Sequence, residues 1–200
     1  MEDLFPETWL PESLGADAIP CLWVTFFAIY PATRDLPRVV DWQRRICSQE
    51  AAAVDTRLPE ILHVSVAECG KPKQRRQPLP NALAEAAHHF SFPAFELVFD
   101  SVARFGREGQ ACVAIADAES QEKFADLRIA LANAQRHAGI FVSRAKCEAH
   151  LTLGYGNRSP MERRSIEPFG FRVAAIEYVA SEQGKSHHEH LVRWALTQSR

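Results

Sequence analysis

The chain has few of the features that mark secreted, membrane-embedded or nucleic-acid-coating proteins. Five cysteines in 200 residues, with no Cys-x-x-Cys pair, argue against a disulfide scaffold and against a cysteine-rich zinc site. The longest apolar run, residues 21–30, is too short to cross a bilayer, and the Met-Glu-Asp start lacks the basic region of a secretory signal. A formal net charge of −2 gives no general attraction for RNA. We therefore expect a cytoplasmic protein with reduced thiols.

The length and composition indicate a single folded domain. A chain of 200 residues with 46% hydrophobic and 24% charged residues can bury one substantial core. Residues 1–20 contain three prolines and no clear periodicity, and we interpret them as an extension on the surface. Residues 21–200 are expected to form one two-lobed domain.

Hydrophobic periodicity predicts an alternation of strands and helices. The predicted strands are residues 21–30, 61–68, 94–104, 111–116, 149–155, 171–181 and 190–196, and the predicted helices are 34–53, 81–89 and 120–137. Ser120 is the expected N-cap of the third helix, and Gly139 is expected to end it. This order favours an α+β fold of mainly antiparallel sheet with flanking helices. We expect two pseudo-symmetric lobes around a central groove.

Two five-residue stretches nearly repeat each other. Residues 62–66 read Leu-His-Val-Ser-Val and residues 149–153 read Ala-His-Leu-Thr-Leu. Strict alternation is typical of a half-buried strand, so each histidine shares a face with the hydroxyl residue two positions later, roughly 6.5–7 Å away. The four polar residues of the two strands are His63, Ser65, His150 and Thr152.

This pairing of residue types suits chemistry at a phosphate. One neutral imidazole can accept the proton of an attacking water while a charged one protonates the leaving oxygen. Histidine reaches both states near neutral pH. Hydroxyl groups held on strands can donate to the non-bridging oxygens. A single histidine on a strand is more often structural, but the repetition favours a functional pair.

The two motifs resemble the paired H-x-[S/T]-x motifs of the two-histidine (2H) phosphoesterase superfamily. The most similar branch is that of the 2′,5′-RNA ligase-like RNA 2′,3′-cyclic phosphodiesterases. Residues 23–31, Trp-Val-Thr-Phe-Phe-Ala-Ile-Tyr-Pro, resemble the opening strand of that family, and residues 181–196 resemble its closing strand pair. The resemblance covers about residues 22–197.

The resemblance implies two α+β lobes around a V-shaped groove, with one motif from each lobe. It implies hydrolysis of a 2′,3′-cyclic phosphate to a 2′-phosphate without a metal or another cofactor. On this basis His63 is the general acid and His150 the general base, and Ser65 and Thr152 bind the phosphate. The expected substrates are RNA ends or small cyclic-phosphate nucleotides, and the protein is expected to be a monomer that binds no membrane.

The chain departs from the family pattern at three places. Motif one carries Ser65 where threonine is commoner, and residues 67–71, Ala-Glu-Cys-Gly-Lys, replace an apolar run and place Glu68 nearby. The N-terminal extension has no counterpart. The substrate preference is therefore open.

Several further residues are candidates for substrate binding. Lys71 belongs to a basic loop after motif one, and Arg144 and Arg158 flank motif two; each could neutralise an RNA phosphate or lie on a solvated surface. Phe27 and Tyr155 are candidate stacking platforms for a base, although core packing is the commoner role of such rings.

Three clustered histidines offer a different interpretation. His187, His188 and His190 could bind a metal, but they follow Gly184-Lys185-Ser186, and we interpret them as part of an exposed turn.

Three classes of function remain open for the two histidine motifs, and a fourth would use the clustered histidines instead. The favoured one is the metal-independent phosphodiesterase. A 2′,5′-RNA ligase, or a 2H esterase for another cyclic or 2′,5′-linked nucleotide, would use the same site. A non-catalytic RNA-end binder would bind without turnover. A metal-dependent hydrolase built on the clustered histidines would lose its activity to a chelator.

Overall fold

The strands pair into two antiparallel sheets, each of which holds one of the two histidine motifs. The structure is a computed structural model that describes residues 23–50, 54–70, 80–105, 110–140, 142, 147–156, 162–182 and 185–198. These residues form nine strands, three α-helices and one 3₁₀ turn. The predicted α+β class is confirmed.

Motif one lies at the edge of a four-stranded sheet. Its strands are β1 (Trp23–Ile29), β3 (Val64–Gly70), β8 (Ala175–Glu182) and β9 (His187–Ala195), in the order β3-β1-β8-β9. The register pairs Ala28 with Ser65. Motif one therefore lies directly beside the C-terminal end of β1.

Motif two lies inside a five-stranded sheet. Its strands are β2 (Val54–Thr56), β4 (Phe95–Phe105), β5 (Ala111–Ala116), β6 (His150–Gly156) and β7 (Arg164–Val173), in the order β2-β6-β5-β4-β7. β6 is paired on both sides, so its side chains have fixed positions.

Three α-helices cover the outer faces of the sheets. They are α1 (Leu36–Ser48), α2 (Pro80–His89) and α3 (Ala118–His137). Pro37 lies in the first turn of α1, where its missing N–H has no helical partner to lose. Gly139 follows α3 with φ +67°, the left-handed conformation that ends many helices.

The structure corrects several sequence predictions. The predicted strand at residues 171–181 is two strands, β7 and β8, because the chain passes at Ala174 from the five-stranded sheet to the four-stranded sheet. The three-residue β2 was not predicted, since it is too short to show a period. The N-cap of α3 is Asp117, which accepts from the Ser120 N–H at 2.8 Å, while the Ser120 hydroxyl accepts from the Val98 N–H.

One large hydrophobic core connects the two sheets and the helices. Inward-facing residues of β1, β3, β4, β6 and β8 pack in it against α1 and α3. Two smaller clusters lie on the opposite, groove-facing sides of the sheets. One contains Phe26, Ala28 and Val179, and the other contains Ala103, Val113 and Ile115. These small clusters form the apolar floors beneath the two motifs.

The chain crosses from the five-stranded sheet to the four-stranded sheet in the segment between β2 and β3, which includes the 3₁₀ turn Pro59–Ile61. We call residues 57–62 the crossover segment. Its first residue, Arg57, donates its backbone N–H to the Leu153 carbonyl of β6 at 2.9 Å. The buried Gln43 amide donates to the Arg57 carbonyl at 3.0 Å and to the Leu153 carbonyl at 2.7 Å.

A glycine allows β2 and β6 to approach closely beside this segment. A Cβ atom on Gly154 would lie 2.7 Å from Val54 Cγ1 and would collide with the Asp55 carbonyl. Any side chain at this position would push β2 away from β6. The start of the crossover segment is therefore fixed to the strand that carries motif two.

The four cysteines within the described ranges are free thiols. Cys47, Cys69 and Cys112 are buried, and burial raises the pKa of Cys69 to about 12, so this thiol stays protonated at neutral pH. No helix among the described residues has the length and apolar character needed to cross a membrane.

Replacing Gln43 with methionine should destabilise the protein. Methionine has a similar volume but cannot donate to the Arg57 and Leu153 carbonyls, and a lost buried hydrogen-bond partner costs about 1–3 kcal/mol. Urea unfolding followed by circular dichroism measures the change. The control is Gln49→Met, because Gln49 is exposed at the end of the same helix, and it should change the free energy of unfolding by less than about 0.5 kcal/mol.

Candidate active site

The imidazole of motif one is held by two hydrogen bonds. His63 lies between the 3₁₀ turn and β3, and its Nδ1 donates to the Ile61 carbonyl at 2.8 Å. A carbonyl only accepts, so Nδ1 carries a proton and the neutral ring has its lone pair on Nε2. Nε2 lies 3.1 Å from the Ser65 hydroxyl, which donates to it. Nε2 is therefore the ring nitrogen that can accept a proton.

Motif two repeats this arrangement. His150 is the first residue of β6, and its Nδ1 donates to the carbonyl of Glu148 at 2.8 Å. In both motifs the acceptor is the carbonyl two residues before the histidine. Thr152 stands on the same face of β6 as His150, opposite Val113 of the groove-facing cluster. The two similar sequence motifs therefore share the same Nδ1 hydrogen bond.

The two motif strands lie beside each other across the two sheets. The Cys147 thiol is 3.8 Å from the Ser65 carbonyl, which connects the approach to motif two with motif one. β3 and β6 are also in contact. The structure therefore places the two motifs side by side, near enough for His150 to act electrostatically on His63.

Each catalytic candidate packs on aromatic side chains of its own lobe. The His63 ring has its centroid 5.1 Å from that of Phe26 and 5.6 Å from that of Tyr30. The His150 ring contacts Phe105 edge-on at 5.1 Å. These apolar contacts restrict the orientation of each imidazole and exclude water from one of its faces.

A third imidazole, that of His188, contacts His63. Their ring centroids are 4.9 Å apart, and the Tyr30 hydroxyl lies 2.7 Å from His188 Nδ1. The prediction of an exposed turn at residues 187–190 is wrong, because β9 begins at His187 and the register pairs His188 with Ser181.

The neighbouring His190 is exposed and binds the Glu177 carboxylate at 2.5 Å. Among the residues that the structure describes, no group of three or more histidine, cysteine or acidic side chains is arranged to hold a metal ion.

Arg57, at the start of the crossover segment, places a positive charge in the groove. Its Nη1 donates to the Tyr155 hydroxyl at 3.3 Å, and its guanidinium carbon lies 5.8 Å from the centre of the Tyr155 ring. Its Nε is buried and has no hydrogen-bond partner among the described residues. The charge of this guanidinium acts on His63, His188 and Tyr30 of the other lobe.

Burial, together with the charge of Arg57, keeps His63 neutral at pH 7. Burial lowers the pKa of His63 to about 3; the hydrogen bond to the Ile61 carbonyl opposes this shift, and the charges of Arg57, His188 and His150 add to it. Burial likewise lowers the pKa of His188 to about 4, with Arg57 as the next cause. Burial raises the pKa of Tyr30, so its hydroxyl stays protonated and can donate to His188.

The remaining predicted site residues have different outcomes. Phe27 is only 1% exposed and packs on Tyr178 and Trp194 in the core, so the prediction of a stacking role for this ring is wrong. Its neighbour Phe26 faces the groove. Tyr155 is 49% exposed beside Arg57 and can be reached by a base. Lys71, Arg144 and Arg158 lie outside the described residues, as does the N-terminal extension.

Sequence reasoning missed Arg57, Tyr30, Phe26 and His188. The last strand was predicted to begin at residue 190, whereas β9 begins at His187. A strand predicted from residue 187 would have placed His188 on the same face as His190. Alternation along β1 likewise separates Phe26 and Tyr30 from the buried Phe27. Arg57 has no comparable signal, since only the pairing of β2 with β6 carries it to the groove.

Comparison with known proteins agrees with this geometry. The family model described as the 2′-5′ RNA ligase superfamily matches residues 31–185, most of the chain, and the chain belongs to this superfamily. The resemblance to the 2H phosphoesterases is thereby confirmed. No curated protein sequence matches the chain closely enough to count as a relative.

Solved structures show the same fold. The E. coli LigT structure complexed with 3′-AMP is 20% identical, with a TM-score of 0.67 over 88% of this chain and 99% of that one. A structure titled phosphoesterase is 21% identical, with a TM-score of 0.67 over 90% of this chain and 99% of that one. TT0787 of Thermus thermophilus is 19% identical, with a TM-score of 0.61 over 88% of this chain and 100% of that one. At these identities the similarity establishes the fold alone.

The lowered pKa of His63 predicts how the ligand-free protein titrates. The His63 ring should stay neutral from pH 8 down to about pH 5, because its pKa is about 3. Below pH 6.5 the unfolded chain binds a proton at this ring that the folded protein does not yet bind, so the free energy of unfolding falls as the pH decreases. Proton NMR of the histidine ring signals measures the pKa, and His63→Gln assigns the signal. A His63 pKa near 6.5 would contradict this electrostatic picture.

Proposed function

We propose that the protein is a metal-independent phosphodiesterase that opens RNA 2′,3′-cyclic phosphate ends to 2′-phosphates. His63 and His150 exchange protons with the substrate, and Ser65 and Thr152 bind its phosphate. One observation carries the proposal: each imidazole donates its Nδ1 proton to the carbonyl two residues earlier, at 2.8 Å in both motifs. Both rings therefore keep Nε2 for proton transfer.

The reaction requires two proton transfers at opposite sides of the phosphorus. The oxygen of a water attacks phosphorus while its proton moves to Nε2 of one neutral imidazole. The bond from phosphorus to the 3′ oxygen breaks, and this oxygen takes the proton from Nε2 of the other, charged imidazole. The products are a 2′-phosphate and a 3′ hydroxyl. Proton exchange with solvent then restores both rings.

The resemblance assigns the acid role to His63 and the base role to His150. An acid must hold a proton before the reaction, whereas His63 is neutral in the ligand-free protein at pH 7. The negative charge of a bound phosphate would oppose the charge of Arg57 and raise the His63 pKa. If the His63 pKa stays below 5 in the complex with 2′-AMP, the two roles are exchanged.

The hydroxyl groups supply donors for the charge that develops on the non-bridging oxygens. Ser65 is half-buried and lies 3.1 Å from His63 Nε2, so a phosphate oxygen that displaces this contact meets both groups. Thr152 is half-buried on the opposite strand. Rigid donors at both sides of a phosphate stabilise the transition state without reorganising.

The ligands of E. coli LigT support a nucleotide or phosphate substrate. Its structures are described as complexes with 3′-AMP, ATP, phosphate and NADP+. All of these ligands contain phosphate, and three of them are nucleotides. The apolar floor of Phe26 and Phe105 beneath the two imidazoles would accept a ribose or a base beside the phosphate.

Removing either imidazole should abolish most of the turnover. The substrate is a short RNA that ends in a 2′,3′-cyclic phosphate, incubated in EDTA with wild type, His63→Ala or His150→Ala. We expect conversion to a 2′-phosphate by wild type and a loss of about 10²–10⁴-fold in each variant, because each lacks one proton carrier. Gel separation of the RNA ends measures the rate.

The matched control is His89→Ala, because His89 is exposed on α2 and contacts Glu85 and His137. It should keep the wild-type rate. RNA that binds to wild type without turnover would indicate a non-catalytic binder. Activity that EDTA removes from wild type would indicate a metal-dependent hydrolase instead.

A further inference from the structure

Arg57 lies where the two lobes meet, between the two motifs. Its backbone is bound to β6 through Leu153, one residue after Thr152. Its side chain contacts Tyr155 on the same strand, and its charge acts on His63 and His188 of the four-stranded sheet. The guanidinium therefore stands between elements that belong to different lobes.

The Arg57 guanidinium has N–H donors that no described residue accepts from. Nη1 is used by the Tyr155 hydroxyl, while Nε is buried and has no partner in the part of the chain that the structure describes. A buried donor without a partner is costly unless a ligand or water completes it. Arginine presents its donors as a planar fork that matches two phosphate oxygens.

No carboxylate forms an ion pair with Arg57 among the described residues, although the register places Asp55 opposite Tyr155, the ring that Arg57 contacts. The charge of Arg57 acts on His63, His188 and Tyr30. Glu177, whose charge also acts on Tyr30, is bound to His190 and Arg193. A half-buried cation without a counter-ion favours binding of an anion.

We propose that Arg57 is a phosphate-binding residue of the groove, whose guanidinium donates to oxygens of the substrate phosphate. The inference rests on the proposed function in placing the phosphate between the motifs. Tyr155 positions Arg57 by accepting from Nη1, and the crossover segment fixes its backbone. Arg57 thereby supplies a positive charge that does not depend on the protonation of the two imidazoles.

The test compares Arg57→Gln and Arg57→Lys with wild type. Arg57→Gln removes the charge and the fork, while Arg57→Lys keeps the charge without the fork. The control is Arg44→Gln, because the Arg44 side chain is 70% exposed on α1. Binding of inorganic phosphate is measured by isothermal titration calorimetry, and kcat and KM are measured with adenosine 2′,3′-cyclic phosphate. Thermal unfolding confirms that every variant is folded.

We expect Arg57→Gln to weaken phosphate binding and to raise KM by about tenfold or more, since a charge-assisted bidentate contact is lost. Arg57→Lys should fall between Arg57→Gln and wild type, and Arg44→Gln should match wild type. In Arg57→Gln the pKa of His63, read by NMR, should rise, because one of the charges that lowers it is gone. A merely structural arginine would leave the phosphate affinity unchanged, whereas the rise of the His63 pKa checks only that the charge of Arg57 reaches this ring.

Two results would overturn the inference, and they are distinguishable. If wild type hydrolyses the cyclic nucleotide and Arg57→Gln binds phosphate with unchanged affinity, Arg57 is not a phosphate ligand, while the proposed function stands. If wild type neither binds phosphate nor turns over the cyclic nucleotide, the proposed function fails together with the role of Arg57.

Discussion

The hydrogen bond from Nδ1 of each motif histidine to the carbonyl two residues earlier is the constraint on which the site depends. It fixes the tautomer, because a carbonyl can only accept, and it leaves Nε2 as the nitrogen that can accept a proton. The strand period then places a hydroxyl beside the ring, as at Ser65. Phe26 packs against the His63 ring and Phe105 against the His150 ring, each from the sheet that carries the motif.

The second determinant of the site is the crossover segment. It begins on the five-stranded sheet, where Gln43 and Leu153 bind Arg57, and it delivers His63 to the edge of the four-stranded sheet within six residues. The close approach of β2 to β6 at Gly154 keeps its origin in place. The crossover segment is hydrogen-bonded to β6 through Arg57 and to the His63 ring through the Ile61 carbonyl. This short segment therefore limits the distance between the two motifs.

Sequence reasoning recovers the parts of this protein that depend on local pattern. The alternation around His63 and His150 identifies both motif strands, and the order of elements gives the α+β class. It failed where tertiary pairing decides: β2 forms because β6 lies beside it, and His188 belongs to a strand because Ser181 is its partner. Phe26 and Phe27 are adjacent in sequence, and only the pleat decides which of them reaches the groove. Arg57 carries no local signature.

The division of Arg57 and His63 between the two sheets has a consequence for the dynamics of the groove. Arg57 is hydrogen-bonded to β6, whereas His63 immediately precedes β3 of the other sheet. Any rotation of one sheet against the other would change the separation of guanidinium and imidazole, and with it the His63 pKa. The packing of the two sheets against one core therefore also holds the proton affinity of this ring constant.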